Sequence, residues 1–136
     1  MLVLPATYSQ HARKVPLSVV VDEKFISLAC KSLHDQTMKL WEKSGLEPRV
    51  SQEAQNGPAV MALVAAGLGY GILPSSLQTI RLDHVVWRAI EIDDGVTESS
   101  INLVYHKDIL AERVPSGFIE CLRRYSGAAN VVRQFG

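Results

Sequence analysis

The side chains that could do chemistry lie at Cys30, His34 and Asp35, and again at His106 and Asp108. A thiol, an imidazole and a carboxylate this close in sequence could form a nucleophilic site. Neighbouring helix residues point in different directions, however, and Cys30 follows an apolar run in which a thiol stays protonated and inert. Helix capping by Asp35 and solvent exposure of His34 explain the same residues more simply. Because His106 and Asp108 have no third ligand nearby, they do not predict a metal site.

Glycines and serines around position 70 resemble two functional motifs without satisfying either. Gly67, Gly69 and Gly71 follow a helical pattern, whereas a dinucleotide fingerprint needs a strand before its glycines and a helix after them. These glycines would therefore lie at the C-terminal end of a helix, which repels anions. Ser75 and Ser76 lack the flanking glycines of a nucleophile elbow. We predict no enzymatic activity, cofactor or metal.

The stretch from Ala59 to Pro74 predicts a buried helix followed by a short strand. The sequence from Gly57 to Ile80 contains no charged residue. Apolar side chains recur at helical spacing at Val60, Leu63, Val64 and Leu68. With alanines on the other faces, this pattern predicts a helix over Ala59–Gly69 that is apolar nearly all round and therefore buried. The run falls short of the roughly 20 residues that a membrane span requires.

Length and composition predict one ordinary domain with a packed core. The chain has 136 residues, is 47% hydrophobic, and carries 14 basic and 14 acidic side chains. A net charge of zero argues against binding nucleic acid through its phosphates. Two cysteines without a C-x-x-C pattern fit reduced thiols in a cytosolic protein. The start MLVLPA lacks the basic region of a signal peptide, so we expect a cytoplasmic chain without membrane contact.

Strands and helices alternate along the chain. Strands are predicted at Leu2–Leu4, Leu17–Val21, Phe25–Ala29, Arg49–Ala54, Val85–Ile92 and Ile101–His106. A helix is predicted to start at Ser32, with Asp35 completing a capping box, and to end at Gly45. Shorter helices are predicted at Ser75–Ile80 and at Pro115–Tyr125, the latter capped by Ser116. This alternation predicts an α/β fold with a largely parallel sheet flanked by helices.

The segment SGLEPRVSQEAQNGPAVMALVAAGLGYGILPSSL closely resembles the second half of the effector-binding domain of LysR-type transcriptional regulators. In that family one helix ends in G-x-x-P, the next ends in L-V-A-A-G-x-G, and a strand closes on P-x-S. These steps correspond here to Gly45–Pro48, Leu63–Gly69 and Pro74–Ser76. The resemblance extends, more weakly, from Leu2 to Tyr125.

The resemblance implies two α/β subdomains on crossover strands, as in type 2 periplasmic binding proteins, with a small molecule in the cleft between them. It implies that residues about 5–86 form subdomain II and that residues about 87–125 return to an incomplete subdomain I, followed by a flexible tail over 126–136. The winged helix, the linker helix and the first half of subdomain I have no counterpart in the sequence. We therefore expect no direct DNA contact by this chain.

The resemblance places the effector-binding residues at Ser32, Leu33, Gln55, Asn56 and Gly57. Ser32 and Asn56 precede predicted helices, whose free N–H groups and positive ends favour a carboxylate. The simpler alternative is that both residues only cap their helices, and the two roles can coexist. We expect an effector-sensing regulatory fragment that binds a small organic acid. The alternative is a stand-alone small-molecule-binding or enzyme-like α/β domain.

Strands and a helix that meet subdomain I in the full domain would be left without a cover in this chain. Open sheet edges and apolar faces pair with other chains. We therefore expect a homodimer or a higher closed oligomer. Its predicted interface consists of Ile101, Leu103, Tyr105, Phe118, Ile119 and Leu122. The alternative is that the C-terminal strand and helix fold back onto the chain's own sheet.

Overall fold

A computed structural model describes residues 1–91 and, further on, residues 117, 118, 120, 121 and 124. The chain divides into two compact units, Met1–Glu98 and Ser99–Gly136. The strands of the first unit are β1 (Leu2–Pro5), β2 (Lys14–Pro16), β3 (Lys24–Leu28), β4 (Arg49–Ala54), β5 (Gly71–Ile72) and β6 (Val85–Glu91). Its α-helices are α1 (Lys31–Lys43) and α2 (Gly57–Ala65), and short 3-10 helices cover Ala6–Tyr8, Leu17–Val19 and Ser75–Thr79.

The sheet is mixed because β1 runs antiparallel to both of its neighbours. Four strands are ordered β2-β6-β1-β5, with β2 parallel to β6, and β3 pairs in parallel with β4. Tyr70, just before β5, joins the two sets: its N–H donates to the Lys24 carbonyl at 2.9 Å, and its carbonyl accepts from Ile26 N–H at 2.8 Å. The α/β fold class is therefore confirmed, with a sheet more mixed than the predicted largely parallel one.

The two helices cover opposite faces of β3. Successive side chains of a strand point to opposite faces. Phe25 packs in one buried cluster with Leu40 and Trp41 of α1, whereas Ile26 packs in another with Val60 of α2 and its neighbours. Helices α1 and α2 therefore pack on different sides of this strand.

Helix α2 is shorter and more exposed than the sequence predicts. Instead of Ala59–Gly69 it covers Gly57–Ala65, and Gly67 follows in the left-handed conformation with φ 74°. Its fully buried positions include Val60, Met61 and Val64, but Ala62 is exposed and Leu63 is only half-buried. The prediction of burial all round is therefore wrong, because one side of this helix faces away from the sheet.

The start of α1 and one short strand also differ from the prediction. The helix begins at Lys31 with Cys30 as its N-cap, and no side chain makes a capping hydrogen bond. The predicted capping box at Ser32 is therefore wrong, although the predicted end is confirmed by Gly45 at φ 67°. The predicted strand at Leu17–Val21 is a 3-10 helix that follows Pro16. Strand β4 has the predicted bounds.

Most of the C-terminal predictions lie outside the described residues. These are the strand at Ile101–His106, the cap at Ser116, the tail over 126–136, and the interface residues Ile101, Leu103, Tyr105, Ile119 and Leu122. In the second unit, Gly117, Phe118, Glu120, Cys121 and Arg124 are helical, as predicted, and exposed. Phe118 has 61% of its surface exposed.

Candidate functional site

Strands β3 and β4 end side by side, and each leads directly into a helix. Leu28 is paired with Ala54, and Ala29 N–H donates to the Ala54 carbonyl at 2.9 Å. Both helices therefore start at the carboxyl edge of a parallel strand pair, the usual place for ligands in α/β folds. The predicted residues Ser32, Leu33, Gln55, Asn56 and Gly57 all lie at these two helix starts.

The start of α1 leaves backbone donors without an oxygen cap. The first helical bond runs from His34 N–H to the Cys30 carbonyl at 2.8 Å. The N–H groups of Lys31, Ser32 and Leu33 precede it and have no carbonyl in the helix to donate to. Ser32 is exposed and Leu33 is half-buried. The N-cap side chain is a thiol, which is only a weak acceptor.

Hydrogen-bonding groups at this helix start lower the pKa of the Cys30 thiol. Its sulfur lies 3.5 Å from the Ser32 hydroxyl oxygen. Hydrogen bonding from that hydroxyl, and then from Leu33 N–H, lowers the pKa of Cys30 below its ordinary value. Both groups stabilise the thiolate more than the thiol, so this end of the helix favours a negative charge.

The start of α2 is closed by a conventional cap. Asn56 Oδ1 accepts a hydrogen bond from Ala59 N–H at 2.9 Å, and Pro58 occupies the first turn. Asn56 and Gln55 remain exposed. Gly57 is buried, and a side chain there would collide with Leu77. A side chain at position 57 would therefore require the Leu77 side chain to move. Of the two predicted capping residues, Asn56 acts as one and Ser32 does not.

A buried hydroxyl below the α1 start was missed by sequence reasoning. Ser27 is 2% exposed, and it is the buried polar side chain of the described core. Its Oγ lies 2.9 Å from His34 Nδ1. His34 is half-buried, whereas the sequence had suggested that it is exposed to solvent. A serine inside the apolar strand KFISL, followed by a histidine in the next helical turn, is the signal that could have revealed the pair.

The described residues contain neither a cluster of side chains able to bind a metal ion nor a helix able to cross a membrane. No set of three His, Cys, Asp or Glu side chains among them could hold an ion. Within the same residues, no helix is both long and apolar enough to span a bilayer. The polar groups at the two helix starts include backbone N–H groups, the Ser32 hydroxyl and the Asn56 amide.

The described residues form a domain of the α/β class, with two helix starts at the carboxyl edge of one parallel strand pair. Sequence comparison narrows this class. The family described as LysR substrate binding domain matches residues 1–127, and the chain belongs to that family. The expected resemblance is thereby confirmed.

Curated relatives are transcriptional regulators. The HTH-type transcriptional regulator TfdS of Cupriavidus pinatubonensis is 34% identical over 98 residues, which cover 71% of this chain and 32% of that protein. The HTH-type transcriptional regulator TtuA of Agrobacterium vitis is 49% identical over 41 residues, 30% of this chain and 14% of that protein. The matched part of this chain therefore spans at most about a third of the length of these two relatives.

Solved structures share the fold. The C-terminal domain of a probable LysR family regulator from Rhodococcus sp. RHA1 matches with a TM-score of 0.70 and 22% identity, covering 90% of this chain and 62% of that one. The BenM effector binding domain with its effector benzoate matches with a TM-score of 0.65 and 20% identity, covering 100% and 64%. The effector binding domain of QuiR in complex with shikimate gives 0.68 and 15%, covering 96% and 62%.

Proposed function

We propose that this chain is an effector-sensing part of a LysR-type transcriptional regulator and that a small organic acid binds at the start of α1. The observation that carries the proposal is the N-terminus of this helix, which has no side-chain oxygen cap and follows a strand that ends beside the one leading to Asn56. Free N–H groups and the positive end of the helix dipole favour an anion there. Benzoate and shikimate, the ligands of the two structural neighbours named above, are both carboxylates.

The two helix starts would contribute different donors to such a ligand. The carboxylate would accept hydrogen bonds from the N–H groups of Ser32 and Leu33, and at Leu33 it would take the place of the Cys30 sulfur. Asn56 uses its Oδ1 to cap α2, so its amide Nδ2–H₂ group is left to donate to a second oxygen of the ligand. Gln55 lies on the exposed rim. Asn56 would thus cap α2 and contact the ligand at the same time.

An enzyme-like function has no comparable support in the described residues. Cys30 and His34 are near each other in sequence, but the His34 imidazole faces Ser27 through its Nδ1. The thiol instead pairs with Ser32. The curated relatives are regulators, which supports a sensing role rather than catalysis. We also propose that DNA is contacted by other parts of the regulator, since this chain has zero net charge.

A titration of the chain with benzoate and with shikimate tests the ligand site. We expect amide NMR shifts concentrated at Ser32, Leu33 and Asn56. The variant Asn56→Asp keeps an oxygen cap but replaces the amide NH₂ group with a negatively charged oxygen, so it should weaken carboxylate binding. Gln78→Glu adds a negative side chain at an exposed position of a different helix and should not. Shifts remote from both helix starts, or equal losses in the two variants, would remove the site assignment.

We further propose that residues about 5–86 act as subdomain II, that residues about 87–125 return to an incomplete subdomain I, and that the chain self-associates through the latter. The proposed interface contains Ile101, Leu103, Tyr105, Phe118, Ile119 and Leu122. The ring of Phe118 is 61% exposed, and aromatic side chains are enriched at interfaces, which supports the proposal. Light scattering on a dilution series should show an oligomer that Leu122→Asp dissociates. A monomer at every concentration would contradict this proposal.

A further inference from the structure

Ser27 is a hydroxyl buried in an otherwise apolar strand. Its neighbours Phe25, Ile26 and Leu28 are all buried and hydrophobic, and Ser27 itself is 2% exposed. A buried hydroxyl is costly unless it is hydrogen-bonded. The bond of 2.9 Å to His34 Nδ1 satisfies it. This bond links the interior of β3 to the first turn of α1.

The first turn of α1 has few other attachments among the described residues. No side chain caps the helix, and Lys31 and Ser32 are exposed. The fully buried residues of the helix, Leu40 and Trp41, lie at its other end. The far end is therefore fixed by apolar packing, whereas the first turn depends on half-buried Leu33 and on the Ser27–His34 pair.

We propose that the Ser27–His34 pair positions the uncapped start of α1 for effector binding. The inference rests on the proposed function, and it makes His34 a positioning residue that acts through the helix backbone. Hydrogen bonds from N–H groups weaken steeply when they are misaligned. Loss of the pair should therefore lower carboxylate affinity, while Leu40 and Trp41 continue to hold the helix on the sheet.

Hydrogen exchange tests the positioning without any ligand. The amide of residue 34 is bonded to the Cys30 carbonyl, so its exchange rate reports the order of the first turn. Ser27→Ala and His34→Leu should both accelerate this exchange several-fold. His34→Asn, whose amide can occupy the place of Nδ1, should restore slow exchange. Ser51→Ala is the matched control, because it removes a strand hydroxyl that bonds to the Phe25 carbonyl and not to α1.

Affinity for benzoate, used as the probe, is measured on the same variants. Ser27→Ala and His34→Leu should weaken binding by up to about tenfold, the effect of losing one hydrogen bond. His34→Asn and Ser51→Ala should stay near wild type. Unchanged exchange and affinity in Ser27→Ala would overturn the inference. If neither benzoate nor shikimate binds the wild-type chain, the proposed function fails, and the exchange experiment still decides whether the pair orders the turn.

Discussion

The two helix starts at the edge of the sheet satisfy their backbone donors in opposite ways. Helix α2 is closed by the Asn56 side chain, and directly behind this cap lie buried residues, including Gly57, Val60 and Met61. Helix α1 begins with the exposed thiol of Cys30 and has its buried residues at the other end. Both helices follow parallel strands that end side by side.

This difference separates stability from binding. A helix start whose N–H groups are capped and buried contributes to the fold but offers little to a ligand. One that the protein leaves uncapped must give its N–H groups to water or to a bound acceptor. The start of α2 is therefore closed by its own cap, whereas the start of α1 can accept a ligand, and each can be disturbed independently.

The largest effect is expected from the buried side of α2. Met61 is 1% exposed, and Met61→Ala should lower the free energy of unfolding by about 2–5 kcal/mol, through lost burial and a residual cavity. Chemical denaturation followed by circular dichroism would measure it.

Leu63→Ala provides the matched comparison on a different face of the same helix. Because Leu63 is half-buried, its truncation should cost clearly less than that of Met61. Equal losses at the two positions would show that the helix is buried on all sides, as its sequence suggests, and that the open side does not exist in solution.

A smaller effect should distinguish the two helix starts directly. Asn56→Ala removes the capping oxygen of α2 and should cost about 0.5–2 kcal/mol of stability. Ser32→Ala removes no cap from α1, so its effect should stay within about 0.5 kcal/mol. The same denaturation experiment compares them. A Ser32 variant that loses as much stability as the Asn56 variant would mean that α1 is capped by its serine after all.

The sequence predicted the elements that depend on local pattern. Strand β4 and the glycine that ends α1 follow from turn residues that leave few alternatives, such as Gly45 with its positive φ. The fold class followed from the alternation of elements, and the residues of both helix starts were placed correctly at one edge. The resemblance to a known family, confirmed by the match over residues 1–127, identified the kind of domain to which these elements belong.

Features that depend on tertiary contacts could not be read from the pattern. A serine near a helix start is usually a cap, but the N-cap of α1 is Cys30, two residues before the predicted Ser32, so Ser32 lies inside the first turn. Alanine is compatible with burial and with exposure, so the sequence of α2 could not show that Ala62 is exposed to solvent. The contact of Ser27 with His34 spans two elements, so its one sequence signal is a polar residue inside an apolar strand, which periodicity alone does not pair with a histidine. The mixed sheet likewise arises from how β1 pairs with β5 and β6.

The smallest expected effect uses Cys30 as a reporter of charge at the α1 start. In a Cys121→Ser background, Cys30 is the one remaining thiol of the chain. Its lowered pKa means that the thiolate persists to lower pH than in an ordinary cysteine, so alkylation by iodoacetamide should remain fast at a lower pH than for a free thiol. Ser32→Ala removes the largest cause of this shift and should move the pH profile upward, while Leu33 N–H still stabilises the thiolate. A profile that does not move would show that the Ser32 hydroxyl is not bonded to the sulfur. A Cys30 profile like that of a free thiol would mean that the start of α1 does not favour negative charge, and the contrast with α2 would then lose its electrostatic basis.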